Sequence, residues 1–307
     1  MDPVEHALHV VEGPVVDQAE ALDHADVHTA ELAWVASAAD EPADPLVPGA
    51  GSGLRGWARR TGAVLTAYRT GLLVVAAIAA VPMHFLAGRV EDTIVAAPAL
   101  SDLAGGFGLL LLPAMWLAYF AVSALPLVIC LAGTVGVVVP AAAEGAVPGP
   151  RTVWRLVVFR LRALWLWFAA FGVLAQVSPL ALQGDRLGPG VVAPVAVVLG
   201  LGSVAGLTAV GVLGCVALIE PGRGLRRAVH LVSIAPTGGL IGAALALTVL
   251  PRLAHAVAGS VAASLAAVVC GVLWAVAALV TYAQARRVEG PVTSVSLRRE
   301  LAAADRD

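Results

Sequence analysis

The feature that most limits how this chain can fold is a set of long apolar runs without charged side chains. The longest uncharged run covers 41 residues, from 103 to 143. Hydrophobic residues make up 59% of the chain and charged residues 13%, whereas a soluble domain carries about 25% charged residues. So little charge cannot cover a water-facing surface, and about 20 apolar helical residues cross a bilayer core. The sequence therefore predicts an integral membrane protein made of α-helices.

Six runs are candidates for transmembrane helices, which gives an all-α fold class, a helical bundle of three hairpins. The predicted spans are 71–88, 104–140, 163–182, 191–219, 237–250 and 257–285. The uncharged run at 103–143 could instead hold two spans with a turn near Pro126. We take it as one long helix with kinks at Pro113 and Pro126, which neighbouring helices can tolerate. Pro194 is a third candidate kink.

Basic residues give the direction of these spans. All nineteen are arginine, and sixteen lie in four clusters at 55–69, 151–162, 223–227 and 286–306. The remaining three stand alone in breaks between apolar runs. Because cytoplasmic loops carry the excess of arginine and lysine, the clusters predict the cytoplasmic side of a cell membrane. The absence of lysine, with abundant alanine, valine and glycine, indicates a GC-rich bacterial genome. Six spans then place both termini in the cytoplasm, and two spans at 103–143 would break this alternation.

Arginine beside an apolar span points to anionic lipid headgroups as a partner rather than to nucleic acid. An amphipathic stretch precedes each predicted hairpin, at 54–69, 151–162 and 223–233. The residues that we expect to face headgroups are Arg59, Arg60, Arg151, Arg155, Arg162, Arg226 and Arg227. Each hairpin also ends on a Glu-Gly signal, at Glu144, Glu220 and Glu289, and glycine favours the left-handed conformation of a helix cap.

The ends of the chain differ from its body. Residues 1–54 hold eleven of the 21 acidic residues and no arginine, a composition typical of disorder. We predict an acidic disordered cytoplasmic tail at 1–54, a membrane domain at 55–290 and a short cytoplasmic tail at 291–307. The acidic tail is expected to approach the arginine clusters at low salt.

One segment resembles a known group of proteins. Residues 217–222 read Ala-Leu-Ile-Glu-Pro-Gly, residues 225–232 read Leu-Arg-Arg-Ala-Val-His-Leu-Val, and residues 154–157 repeat the theme as Trp-Arg-Leu-Val. This pattern is similar to that of six-span bacterial membrane domains attached to glycerophosphodiester phosphodiesterases and of YciC-like inner-membrane proteins. Ala228 and His230 stand where that group has serine and arginine. The resemblance covers about 55–290 and implies a membrane domain without an assigned activity.

No Asp, Glu or Arg interrupts the predicted spans, which argues against proton-coupled transport because charges at mid-membrane mark ion pathways. We identify no catalytic, cofactor-binding or metal-binding residues. Gly202 and Gly206 form a GxxxG pattern for helix packing within the chain or in a homodimer. We expect a scaffold, accessory or lipid-associated membrane domain, with or without a membrane-protein partner. A carrier or channel for a small or amphiphilic solute is the alternative, and a membrane-embedded lipid-modifying enzyme is a third hypothesis.

Overall fold

Helices account for all the regular structure in the described part of the chain. The computed structural model describes residues 44–49, 53–87, 123–149, 151–155, 157–158, 164–165, 167–169, 189–220 and 222–303. All of these lie within one unit, Ala43–Asp307. The predicted all-α class is confirmed for these residues.

Seven helices are described in chain order. They are α1 (Gly53–Ala67), α2 (Arg69–Ala87), α3 (Leu125–Glu144), α4 (Pro189–Ile219), α5 (Gly224–Ile234), α6 (Gly238–Glu289) and α7 (Ser294–Ala303). Three of them, α3, α4 and α6, are long and apolar enough to cross a membrane, and the bent pair of α1 and α2 would make a fourth span. The described residues thus supply three or four candidate spans where the sequence predicts six. The predicted span at 163–182 and the first half of 104–140 lie almost wholly outside them.

Helices α1 and α2 meet at a sharp bend of 81° beside Tyr68. Helix α1 buries Trp57, Thr61 and Val64, one residue at every third or fourth position. This spacing puts one face of α1 against the bundle and leaves the other exposed. The change of direction falls between the amphipathic stretch predicted at 54–69 and the span predicted at 71–88.

Helix α6 doubles back on itself. The Trp57 ring packs on Gly239, while its Nε1 donates a hydrogen bond to Oγ1 of Thr281 at 3.0 Å. Residues 239 and 281 would be about 63 Å apart in a straight helix at 1.5 Å per residue. The break is Gly259, whose φ of 81° and ψ of −171° are non-helical and strained for any residue with a Cβ.

The turn predicted between the last two spans, at 251–256, is therefore in the wrong place. The first arm of α6 continues through Pro251 and Arg252 and ends at Gly259. Proline in a helix removes one backbone hydrogen bond, whereas the break at Gly259 needs a conformation that glycine adopts without steric cost. The backbone therefore reverses direction at Gly259, whereas Pro251 stays inside the helix.

Close backbone contacts at glycine bring the helices together. A Cβ added at Gly71 would collide with Val137, and one at Gly133 would meet Val75 at 2.8 Å. Residue numbers rise along α2 as they fall along α3, so these two helices pack antiparallel. On α4, Gly211 lies against the Trp274 ring of the second arm of α6. Trp274 also donates a hydrogen bond to the carbonyl of Leu207 at 3.2 Å.

The outer surface of the described helices carries many large apolar side chains. Leu73 of α2 is 67% exposed and Val257 of α6 is 87% exposed. Other exposed apolar residues of α2, α4 and α6 are Val81, Val197, Val198, Leu201, Leu245, Leu253, Val261, Leu265 and Val269. A large exposed apolar surface marks contact with a membrane or a partner.

Both predicted tails contribute packed residues. Leu46 and Val47 are fully buried, and their amides donate to Oδ1 of Asp44 at 2.8 and 2.9 Å. Residues 44–49 are therefore packed against the bundle, unlike the disordered tail expected over 1–54. At the other end, 294–303 form α7, which buries Leu297 and Leu301. Residues 1–43 and 50–52 of the acidic segment lie outside the described residues.

Candidate functional site

Charged side chains from three helices and from the loop between α4 and α5 meet at one end of the bundle. Glu220 follows α4, the arginines of the 223–227 run belong to the start of α5, and two carboxylates lie at the ends of α6 and α7. We call this group the ion-paired cluster, made of Glu220, Arg223, Arg227, His230, Tyr282, Arg286, Glu289 and Glu300.

Glu220 is the centre of the cluster, and its side chain is 2% exposed. Its Oε1 accepts hydrogen bonds from the Tyr282 hydroxyl at 2.7 Å and from Nη1 of Arg286 at 2.6 Å. Its Oε2 accepts from Arg223 and Arg227, both at 3.1 Å. Both oxygens of the carboxylate are therefore fully engaged, as a buried charge requires.

Two further carboxylates complete the cluster. Glu289 receives both terminal nitrogens of Arg227 in a bidentate pair, and Nε2 of His230 lies 3.2 Å from the same carboxylate. Glu300 of α7 receives both terminal nitrogens of Arg286 at 3.0 Å. Bidentate pairs fix geometry as well as contributing energy, so they set the positions of α5 and α7 against α6.

The pKa values of two groups reflect this arrangement. Burial alone would raise the pKa of Glu220, but the Tyr282 hydroxyl, Arg286 and Arg227 outweigh it and lower that pKa below its usual range. The hydrogen bonds from Arg227 to Glu289 raise the pKa of this arginine. Glu220 is therefore held as a carboxylate without a free lone pair, which suits it to joining helices and not to proton transfer.

Residues on α7 and the 44–49 segment extend the same end of the bundle. Arg298 donates to Glu144 at 2.9 Å, which joins α7 to the end of α3. The amide of Ser294 donates to Oδ2 of Asp44 at 2.7 Å, and Arg287 donates to the carbonyl of Pro48 at 3.2 Å. The ends of α3, α4 and α6 consequently lie together.

The three Glu-Gly signals of the sequence all lie at this end, but their glycines differ. Gly145 has a φ of 71° and its amide donates to the carbonyl of Ala141 at 2.9 Å, as predicted for a helix cap. Gly222 also has a positive φ, of 85°. Gly290 has a φ of 169°, which is extended backbone, so the predicted left-handed cap is wrong at that position.

The arginines expected to face lipid headgroups divide into two groups. Arg59, Arg151, Arg155 and Arg226 are exposed and Arg60 is half-buried. Arg227 differs from them, because Glu220 and Glu289 bind its guanidinium, and its contact with headgroups stays a prediction. Arg162 lies outside the described residues.

The predicted kink and packing residues have mixed outcomes. Pro126 lies in the first turn of α3, where proline needs no backbone partner, and Pro194 lies exposed inside α4. Gly202 is exposed, with nothing within 4 Å of an added Cβ, and Gly206 is half-buried. The close contacts of α4 use Gly211 and Gly214 instead. Pro113 lies outside the described residues.

The sequence did not predict the partners of Glu220. Tyr282 and Arg286 are 62 and 66 residues away along the chain, and both belong to a predicted span or its edge. The signal available was the spacing of four between them, which puts both on one face of a helix. Arg286 was counted only as part of a cluster that sets the membrane orientation.

The described ranges contain no group of three or more His, Cys, Asp or Glu side chains that could hold a metal ion. A scan against protein-family models found no match, and searches of curated proteins and of solved structures also found none.

Proposed function

We propose that the chain is a multi-pass protein of the cytoplasmic membrane, with six spans and the ion-paired cluster at the cytoplasmic boundary. Helices long and apolar enough to span, with exposed valine and leucine along them, indicate a membrane location. The charged side chains of the ion-paired cluster are gathered at one end of the bundle. This separation of apolar sides from a charged end supports a bundle that crosses a bilayer.

The direction of the described helices supports the first and the third of three hairpins. Helix α3 returns antiparallel to α2, and the second arm of α6 returns beside the first. The ends of α3, α4 and α6 meet through α7. If 103–143 contained two crossings, α2 and α3 would run parallel, so the antiparallel packing favours one crossing in that run.

Helix α5 has three faces, which supports a position at the lipid–water boundary. Ala228 and Leu231 face the bundle and are buried. Leu225 and Val229 form an exposed apolar face, about 100° or less around the helix from the exposed Arg226. A helix that exposes an apolar and a basic face side by side fits the boundary between acyl chains and headgroups.

For its activity, we propose a non-catalytic scaffold or lipid-associated domain, similar to the six-span bacterial group that its sequence resembles. The single observation that carries this is the saturation of Glu220. Its two oxygens accept four hydrogen bonds from three arginines and a tyrosine. The most buried carboxylate among the described residues is thus used to hold α4, α5 and α6 together and has no free acceptor for a substrate or proton.

Purified protein in proteoliposomes tests this proposal. We expect no release of small trapped solutes above that of protein-free vesicles and no turnover of vesicle lipids. We also expect one membrane partner to be recovered with the chain after crosslinking in native membranes. Solute release that Pro194→Ala abolishes, with Pro251→Ala as the matched control, would contradict the scaffold and favour a carrier.

A further inference from the structure

A narrow apolar groove of about 180 Å³ lies between α2, α3 and residues 147–157. Gly71, Val74 and Ile78 of α2 line one wall, Ile129 and Gly133 of α3 line the other, and Trp154 lies at the mouth. Thr70 is the only lining residue with a hydroxyl group. Such a surface offers dispersion contacts and almost no hydrogen bonds, so it selects for a hydrocarbon.

The shape of the groove limits what can enter it. It runs along α2 from Gly71 to Ile78, about 10 Å at 1.5 Å per residue. Its volume is below the range of about 300–1,000 Å³ found for drug-sized ligands. One end lies beside Val147 and Pro148, just past the end of α3, and the other extends along the apolar helices. A slender chain fits this space better than a ring system.

Three arginines are close sequence neighbours of residues that line the groove. Arg69 precedes Thr70, and Arg151 and Arg155 lie on the same short helical segment as Trp154; all three arginines are exposed. None of them forms an ion pair with another described residue. Trp154 is half exposed, and tryptophan prefers the headgroup level of a bilayer. A ligand that has an anionic group attached to a hydrocarbon chain matches both the apolar groove and the arginines beside it.

We propose that this groove is a binding site for one acyl chain of an anionic phospholipid. The phosphate lies against Arg151 and Arg155, and the chain extends along Val74 and Ile78. This inference rests on the proposed membrane location, and it adds a specific lipid site to the general contact with the bilayer.

Native mass spectrometry of the detergent-purified chain tests the site, with phosphatidylglycerol and phosphatidylcholine as probes. Val74 lines the groove and is 46% exposed, whereas its neighbour Leu73 is not a lining residue and is 67% exposed. We expect Val74→Trp to fill the groove and remove the tightest-bound lipid, and Leu73→Trp to retain it. Equal retention by both variants would overturn the groove as the site.

The charge at the mouth is tested separately. We expect wild-type protein to prefer phosphatidylglycerol, and Arg151→Ala with Arg155→Ala to reduce that preference about tenfold while phosphatidylcholine binding stays the same. A wild type that binds both lipids equally would overturn the anionic headgroup. If the protein is released from membranes without detergent, the proposed function itself is contradicted. If its release needs detergent but the variants bind lipid as the wild type does, only the groove is contradicted.

Discussion

Glu220 decides how the charged end of this protein is built. Its carboxylate joins a loop, α5 and the second arm of α6 through Arg223, Arg227, Tyr282 and Arg286. The local sequence marked Glu220 as the residue before a helix-ending glycine, but it did not reveal its acceptor role. That role depends on donors more than 60 residues away, which only the fold of α6 brings close.

Replacing Glu220 by glutamine should destabilise the bundle. Glu220→Gln keeps the shape but removes the buried negative charge. Because Arg227 and Arg286 keep Glu289 and Glu300 as partners, the expected cost is that of weakened charge-assisted hydrogen bonds, about 1.5–3 kcal/mol. We expect this loss of unfolding free energy in thermal unfolding of the detergent-solubilised protein. Glu144→Gln is the control, because Glu144 is 55% exposed and has one arginine partner; its effect should be about 0–1 kcal/mol. Equal effects would contradict a central role for Glu220.

The same carboxylate predicts a dependence on pH. Its pKa is lower in the folded protein than in the unfolded chain, where glutamate titrates near ~4.3. Its contribution is therefore fully present above that value and is lost as the pH falls through the lower, folded pKa. We expect the melting temperature of the wild type to fall on acidification below about pH 4.3, and Glu220→Gln to lose less over that interval. If the melting temperatures of the two proteins fall equally with pH, Glu220 does not contribute to the pH dependence of stability.

Gly239 is the second residue on which packing depends. An added Cβ would collide with the rigid Trp57 ring, whereas at Gly242, one turn later on the same arm, it would meet nothing within 4 Å. We expect Gly239→Ala to lower the free energy of unfolding by about 1–3 kcal/mol through overpacking. Gly242→Ala should be neutral or stabilising by up to about 1 kcal/mol. Thermal unfolding of both variants measures this, and equal stability would show that Trp57 moves freely.

Among the elements, those with a strong local pattern were predictable. The spans at 71–88 and 191–219 agree closely with α2 and α4, because uninterrupted apolar runs leave few alternatives. The turn of α6 was misplaced, since Pro251 is a more conspicuous break in a sequence than Gly259. Helix α7 was missed because its two buried leucines fill a single face of only ten residues, too short a pattern to distinguish a docked helix from a tail.

The docking of α7 gives a prediction for that element. Leu297 is fully buried, whereas Val295 is 43% exposed on the same helix. We expect Leu297→Ser to release α7, so that amide hydrogen exchange at 294–303 rises by about tenfold or more while α3 stays protected. Val295→Ser is the matched control and should leave exchange unchanged. Protection of 294–303 in both variants would mean that the pairs with Arg286 and Glu144 hold α7 without its leucines.

For the whole molecule, the distribution of arginine was more informative than any motif. The clusters at 223–227 and 286–306 and the carboxylates Glu144, Glu220 and Glu289 were all predicted on one side, and the described residues bring them to one end. The positions of the arginines along the chain could not show which of them form ion pairs and which are exposed. Arg226 is exposed, whereas its neighbour Arg227 is bound by two carboxylates, and only the orientation of α5 separates the two.

The proposed topology puts the ion-paired end and the Gly259 turn on opposite sides of the membrane. Cysteines at exposed positions test it with a membrane-impermeant maleimide, because the native Cys130, Cys215 and Cys270 are buried. In intact cells we expect labelling of Ser260→Cys alone; Ala146→Cys, Arg226→Cys and Arg299→Cys should react only after the cells are opened. Labelling of Ser260→Cys from the same side as Arg226→Cys would contradict the account.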